Sequence, residues 1–242
     1  MSKQVTLLSC IFLWSCGGAE NNSTETPAEL AQANSQVQEN SQVQENILAQ
    51  ETTFQLDWFH SKQGTVFNKN LTGAFDDGPQ LSGAISYATR DDVLLDGQLV
   101  TPTDLLLILN IEDISVSTIT TSYTDSFGNF LRSEAQTGEI CNATSPEGLP
   151  ESVQINDFGS LSPVVCDNGD TQLSTWRALA GSDGTSSNSV DIQVNTTIKN
   201  STGADSSLAA LTYSFINGQV ENISANFIDV TNVLSYNFQT RD

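Results

Sequence analysis

Beyond Thr52 the chain repeatedly sets apolar residues two positions apart, the spacing of strands with one buried face. In "TFQLDWF", Phe54, Leu56 and Trp58 alternate with polar neighbours. The stretch "LLLILNIEDISVSTITTSYTD", Leu105 to Asp125, starts as a continuous apolar run and then alternates through Ile114, Val116 and Ile119. It is β-branched and carries no helix stop, so it predicts one long bent strand or two in series. "SVDIQVNTTIKN", residues 189–200, alternates as well. Turn-forming residues punctuate these runs at Asp76-Asp77-Gly78-Pro79, Asp96-Gly97, Phe127-Gly128-Asn129 and Asp183-Gly184.

The strongest hairpin signal is "LAALTYSFINGQVENISANFIDV". Asn217-Gly218 invites a two-residue type I′ turn. That register sets Leu211 and Tyr213 opposite Ser224 and Asn222, which mixes buried and exposed faces. A three-residue loop, Ile216 to Gly218 with Gly218 left-handed, sets Leu211 opposite Ile223 and Ala209 opposite Ala225. Because a one-residue slip moves every side chain to the other face, burial predicts the three-residue loop. Pairing of Phe215 with Val220 would contradict it.

One segment, "GDTQLSTWRALAGSDG", has helical spacing: Leu173, Trp176 and Leu179-Ala180 share a face, Asp170 can cap and Gly181 can terminate. A strand through Leu173, Thr175 and Arg177 is the alternative. Strand after strand with few helices predicts an all-β fold. The expected form is a single antiparallel β-sandwich or open barrel over residues 52–242.

Before Thr52 the pattern changes. From Gly17 to about Gln50 large apolar residues are scarce, and Asn34–Glu39 is repeated without change as Asn40–Glu45. A six-residue repeat places Val37 and Val43 on different helical faces, so it suits neither a coiled coil nor a packed helix. Residues 16–51 are expected to form a disordered tether, spanning roughly 30 to 35 Å as a flexible coil.

Composition narrows the function classes. Against 29 acidic residues there are 8 basic ones, a formal charge of -21 over 242 residues. Such a surface repels phosphate backbones, which argues against nucleic acid as a partner. His60 is the single histidine. A multi-histidine metal site is therefore impossible, and any Ser-His-Asp triad would have to use this residue, which reads better as structural.

The leader carries the most specific signal. Lys3 is followed by an apolar run from Val5 to Leu13. That length suits a signal segment and falls short of the roughly 20 residues that cross a bilayer as a helix. The run ends in Leu13-Trp14-Ser15-Cys16-Gly17, which resembles the lipobox of bacterial lipoprotein precursors, with Trp14 bulkier than usual. The resemblance implies a signal peptide over residues 1–15, cleaved before Cys16. It also implies a diacylglyceryl thioether on that cysteine and acylation of the freed amine, by palmitate or a similar chain. Two or more acyl chains anchor stably where one does not. Gly17 after the cysteine implies sorting to the outer membrane in a Gram-negative host. The expected address is the bacterial cell envelope, with the membrane as partner through Cys16.

On that reading Cys10 leaves with the signal peptide and Cys16 is lipidated. Cys141 and Cys166 remain, an even pair in an oxidising compartment, and a structural disulfide is expected. It would stabilise the fold by roughly 3.5 kcal/mol in the chain-entropy model.

No familiar catalytic spacing occurs: there is no G-x-S-x-G elbow, S-x-x-K, phosphate-cradling glycine loop or H-E-x-x-H. No cofactor or catalytic residue is expected. Asp76-Asp77, Asp91-Asp92 and Glu112-Asp113 could supply a glycosidase pair. Asp167, Asp170 and Asp183 are weak calcium candidates in loops whose Asp and Gly are turn residues first. Trp58 and Trp176 could stack on a sugar, although a core role is the better reading. The expected function is a non-catalytic domain that binds an envelope protein or a glycan near the membrane. The alternative is a surface-held carboxylate-based hydrolase or carbohydrate-binding module.

Overall fold

A computed structural model describes residues 52–76, 78–182 and 188–241. The signal segment, Cys16 and the repeat-bearing tether lie outside the described residues, as do Asp77, Asp183 and Gly184. β1 (Phe54–Gln55) leads into a 3-10 turn at Phe59–Ser61. Then come β2 (Gly64–Phe75), β3 (Gln80–Thr89), β4 (Val93–Leu95), β5 (Gln98–Ile111), β6 (Ile114–Thr124), β7 (Phe130–Ala135) and β8 (Ile140–Glu147). The second half adds β9 (Ser152–Val153), β10 (Phe158–Ser160), β11 (Val164–Cys166) and β12 (Thr171–Ala180). It closes with β13 (Ser189–Lys199), β14 (Asp205–Ile216), β15 (Gln219–Asp229) and β16 (Leu234–Arg241).

Twelve of these strands pair antiparallel in one ring: β12, β13, β14, β15, β16, β2, β3, β5, β6, β7, β8, β11 and back to β12. The barrel is closed, not the sandwich or open barrel that the strand pattern suggested. Closure comes through Val164↔Gln172 and Val165↔Thr171, which leaves the ring without a free edge. β10 pairs with β12 beyond the end of β11, and β4 forms a short hairpin with the start of β5.

Side chains alternate in and out along each strand. On β3, Leu81, Ile85, Tyr87 and Thr89 are buried, while Ser82 and the intervening positions are more open. On β15, Ile223, Ala225 and Phe227 point to the core while Asn222, Ser224 and Asn226 are exposed. Elsewhere the inward positions include hydroxyls and an amide, among them Thr118, Thr120 and Ser122 on β6 and Gln172 and Ser174 on β12. Two glycines let neighbouring strands approach closely. A Cβ on Gly73 would lie 1.9 Å from the Asn237 carbonyl oxygen, and one on Gly83 would lie 1.9 Å from that of Ile108. Both positions meet the backbone of the adjacent strand, so only a residue without a side chain fits that close approach.

Three expectations about elements are narrowed or corrected. Residues 171–180 form β12, the strand given as the alternative to a helix: Gln172, Ser174 and Ala178 are buried while Leu173, Thr175 and Arg177 are exposed. Pairing on both flanks overrides the helical spacing. Residues 105–125 are two strands in series rather than one bent strand, folded back on each other as a hairpin at Glu112–Asp113, with Ile111 opposite Ile114. Glu112 adopts a φ of 51° there without glycine's freedom, so the turn carried no sequence signal.

The correction concerns the β14–β15 hairpin. Phe215 pairs with Val220 and Ile216 with Gln219, so the loop has two residues, Asn217 and Gly218, at φ 53° and 83°. These are the type I′ turn chemistry that was expected to lose. A bulge at Glu221 then shifts the register, so that Tyr213 faces Ile223 and Leu211 faces Ala225. One extra residue lets turn preference and burial both be met.

Candidate functional site

The two ends of the barrel are built differently. At one end the N-terminal segment folds back into the interior as a plug. Trp58 is 1% exposed and meets Tyr213 and Phe215 edge-on, with centroids 5.4 and 4.8 Å away. Its indole N–H donates to the Pro150 carbonyl at 2.9 Å. Phe59 stacks on Tyr87 at 4.0 Å, and the Thr89 hydroxyl donates to the Phe59 carbonyl. β1 pairs with β9, and Leu149 and Val153 are buried beside it.

At the other end three hairpin turns surround an open cavity of about 870 Å³. Phe75 and Leu81 flank the turn between β2 and β3. Ile111 and Ile114 flank that between β5 and β6, and Val230 and Val233 lie in that between β15 and β16. Turn-proximal positions usually belong to polar residues; here they are aliphatic. That size matches a pocket for one small ligand, and barrel mouths are a preferred place for such pockets. Val233 is 92% exposed and holds a φ of 53°. A β-branched residue in this left-handed region is strained, and strain of this kind gathers at ligand sites.

Polar groups are few in this cavity. Among the described residues that line it, the charged ones are Asp76 and Asp229, both acids. Asp229 is 4% exposed; its carboxylate accepts from the Asn232 backbone N–H at 2.9 Å and from the Asn232 amide at 2.7 Å. Tyr236 lies between Phe75 and Phe227, with centroid distances of 5.3 and 4.9 Å. Burial, and then the charge of Asp229, push its hydroxyl far above the ordinary tyrosine range, so it stays protonated.

The candidates from sequence fall outside this cavity, except at its rim. Trp58 is in the plug and offers no ring face to a ligand. Trp176 is half-buried, with its indole against Gly159. Asp76 lines the cavity and Glu112–Asp113 is one of its turns, whereas Asp91–Asp92 lies beside β4 near the plugged end. Asp91–Asp92 is thus separated from the other two acidic turns, which share the open end. Asp170 accepts from the Asn168 amide, which also donates to Glu139. Asp183 lies outside the described residues. Cys141 and Cys166 are directly opposite on β8 and β11 and form a disulfide. With both sulfurs bonded, neither is free to join Glu139 as a metal ligand.

His60, two residues after the plug tryptophan, has a buried Nδ1 with no hydrogen-bond partner among the described residues. Burial pushes its pKa down to about 4 despite the nearby charges of Asp125 and Asp57.

No family model, curated protein or solved structure matches this chain. The site is therefore interpreted from its own chemistry. Sequence pattern missed Phe75, Ile111, Val116, Asp229 and Tyr236. The available signal was the apolar residues beside turns, as in "DVTNVL", which solvent-facing hairpin ends do not require.

A second, shallower groove of about 390 Å³ runs over β15, β16 and β2. Asn226, Asn237, Gln239 and Arg241 line it, and its one aromatic, Phe238, is buried in the core. It offers hydrogen bonds but no ring on which a sugar could stack.

Proposed function

We propose that this chain is a lipid-anchored protein of the bacterial envelope, held at the membrane through Cys16. Its β-barrel carries a small apolar molecule in the open-end cavity without transforming it. The observation that supports this most is the cavity itself: about 870 Å³ of aliphatic and aromatic wall in a barrel whose opposite end is plugged. A protein has no stability reason to leave such a space beside three turns, since unfilled apolar surface forfeits packing contacts.

A carboxylate-based hydrolase is favoured less, because of the two acids at the cavity Asp229 is taken up in closing its own turn. A carbohydrate-binding role is favoured less because the polar groove lacks an exposed aromatic platform.

The test is mass spectrometry on the chain purified from its native envelope. The protein is expected to begin at an acylated Cys16. An organic extract is expected to release a small apolar molecule in near-stoichiometric amount. An unmodified N-terminus would overturn the anchor, and an empty extract would overturn the carrier role.

A further inference from the structure

We infer that the ligand of the open-end cavity is a hydrophobic cation, an amphiphile with an apolar body and an ammonium-type head, an inference that rests on the apolar-ligand reading above. The cavity has two unlike walls. One, from β5 and β6, presents Leu109, Ile111, Ile114 and Val116 and no charge. The other, from β2, β15 and β16, combines the rings of Phe75 and Tyr236 with the carboxylates of Asp76 and Asp229.

The second wall has the chemistry of a cation site. A positive group within about 6 Å of an aromatic centroid is attracted to the ring face. Phe75, half-buried and packed against the buried Tyr236, is the ring of this wall that stays partly open, and it adjoins Asp76 in the chain. Asp229 is almost fully buried, and its hydrogen bonds come from the neutral Asn232 alone; among the described residues no basic side chain pairs with it. Both of its oxygens are held in the turn, so the acid that an arriving ammonium meets directly is Asp76, at the exposed rim. Glu112 and Asp113 extend the negative charge onto a neighbouring exposed turn. A carboxylate or phosphate head would instead meet two acids and no cation.

The test uses three probes with one alkyl chain: octyltrimethylammonium, 1-octanol and octanoate. Each is titrated calorimetrically into the full, natively processed chain in zwitterionic vesicles, with protein-free vesicles subtracted. The cation is expected to bind about tenfold more tightly than the alcohol, a factor within reach of one aromatic–cation contact. Octanoate is expected to bind weakest. Asp76→Asn, at an exposed position, is expected to narrow the preference for the cation over octanoate. Equal affinities, a preference for octanoate, or an unchanged preference in Asp76→Asn would overturn the cation assignment and leave the apolar-ligand reading standing. Failure of all three probes to bind would overturn both.

Discussion

The indole N–H of Trp58 donates to the carbonyl of Pro150 at 2.9 Å, joining two segments that are 92 residues apart in the chain. Through this bond the N-terminal strand and the β8–β9 loop enter the barrel together and seal one end. Trp58 is the largest side chain buried there, so Trp58→Ala should destabilise the protein by about 3–5 kcal/mol. Trp58→Phe should cost less, because most of the ring contact survives and the N–H is lost. Chemical denaturation with an unchanged m-value measures both.

The strand pattern showed the all-β class, and the alternation in residues 189–200 corresponds to β13. Closure did not show, because it depends on the three residues of β11 pairing with both β8 and β12, and such a short strand has no period to detect. The hairpin register failed for a related reason. Turn chemistry and burial each pointed to a definite register, but a bulge at Glu221 satisfies both, and a bulge has no residue signature of its own here. Of the cavity, only Asp76 and the Glu112–Asp113 turn were singled out from sequence. Its remaining walls come from strands distant in the chain, brought together by closure.

The requirement for glycine at these close approaches is strict. A methyl group at Gly83 would meet the Ile108 carbonyl oxygen at 1.9 Å, and backbone cannot swing aside as a side chain can. Gly83→Ala should destabilise by at least about 1–3 kcal/mol, while the same change at Gly97, whose Cβ position is open, should act only through its φ of 84°. Thermal unfolding of the two variants separates steric overlap from conformational cost.

At the cavity rim Val233 holds a left-handed backbone that glycine adopts freely. Val233→Gly should leave stability unchanged or raise it by up to about 1 kcal/mol, yet weaken binding of an apolar ligand through lost contact. Denaturant titration and ligand titration on the same preparation test the two halves of this statement. Loss of stability without loss of affinity would show that Val233 serves the turn rather than the ligand.

His60 predicts a pH dependence. In the unfolded chain it titrates near 6.5, and burial lowers this to about 4 in the fold. The unfolded state therefore binds more protons between these values, so folding is favoured above the upper one and loses stability as pH falls toward the lower. The loss should be of the order of 3 kcal/mol, most of it incurred by pH 4 and the remainder just below it. His60→Asn should remove this part of the acid sensitivity. Unfolding of both proteins at closely spaced pH values isolates the difference from the titration of carboxylates.

Whether the open-end cavity takes up a ligand is tested most directly by filling it. Val116 lines the cavity, whereas its neighbour Ser117 faces outward and is exposed. A neutral solvatochromic dye should bind the unaltered protein with a blue-shifted emission. Ser117→Trp should preserve that binding and Val116→Trp should abolish it, with both variants still folded by circular dichroism. Equal dye binding by the two folded variants would contradict the account, since the dye would then lie somewhere other than between the turns of Phe75, Ile111 and Val233.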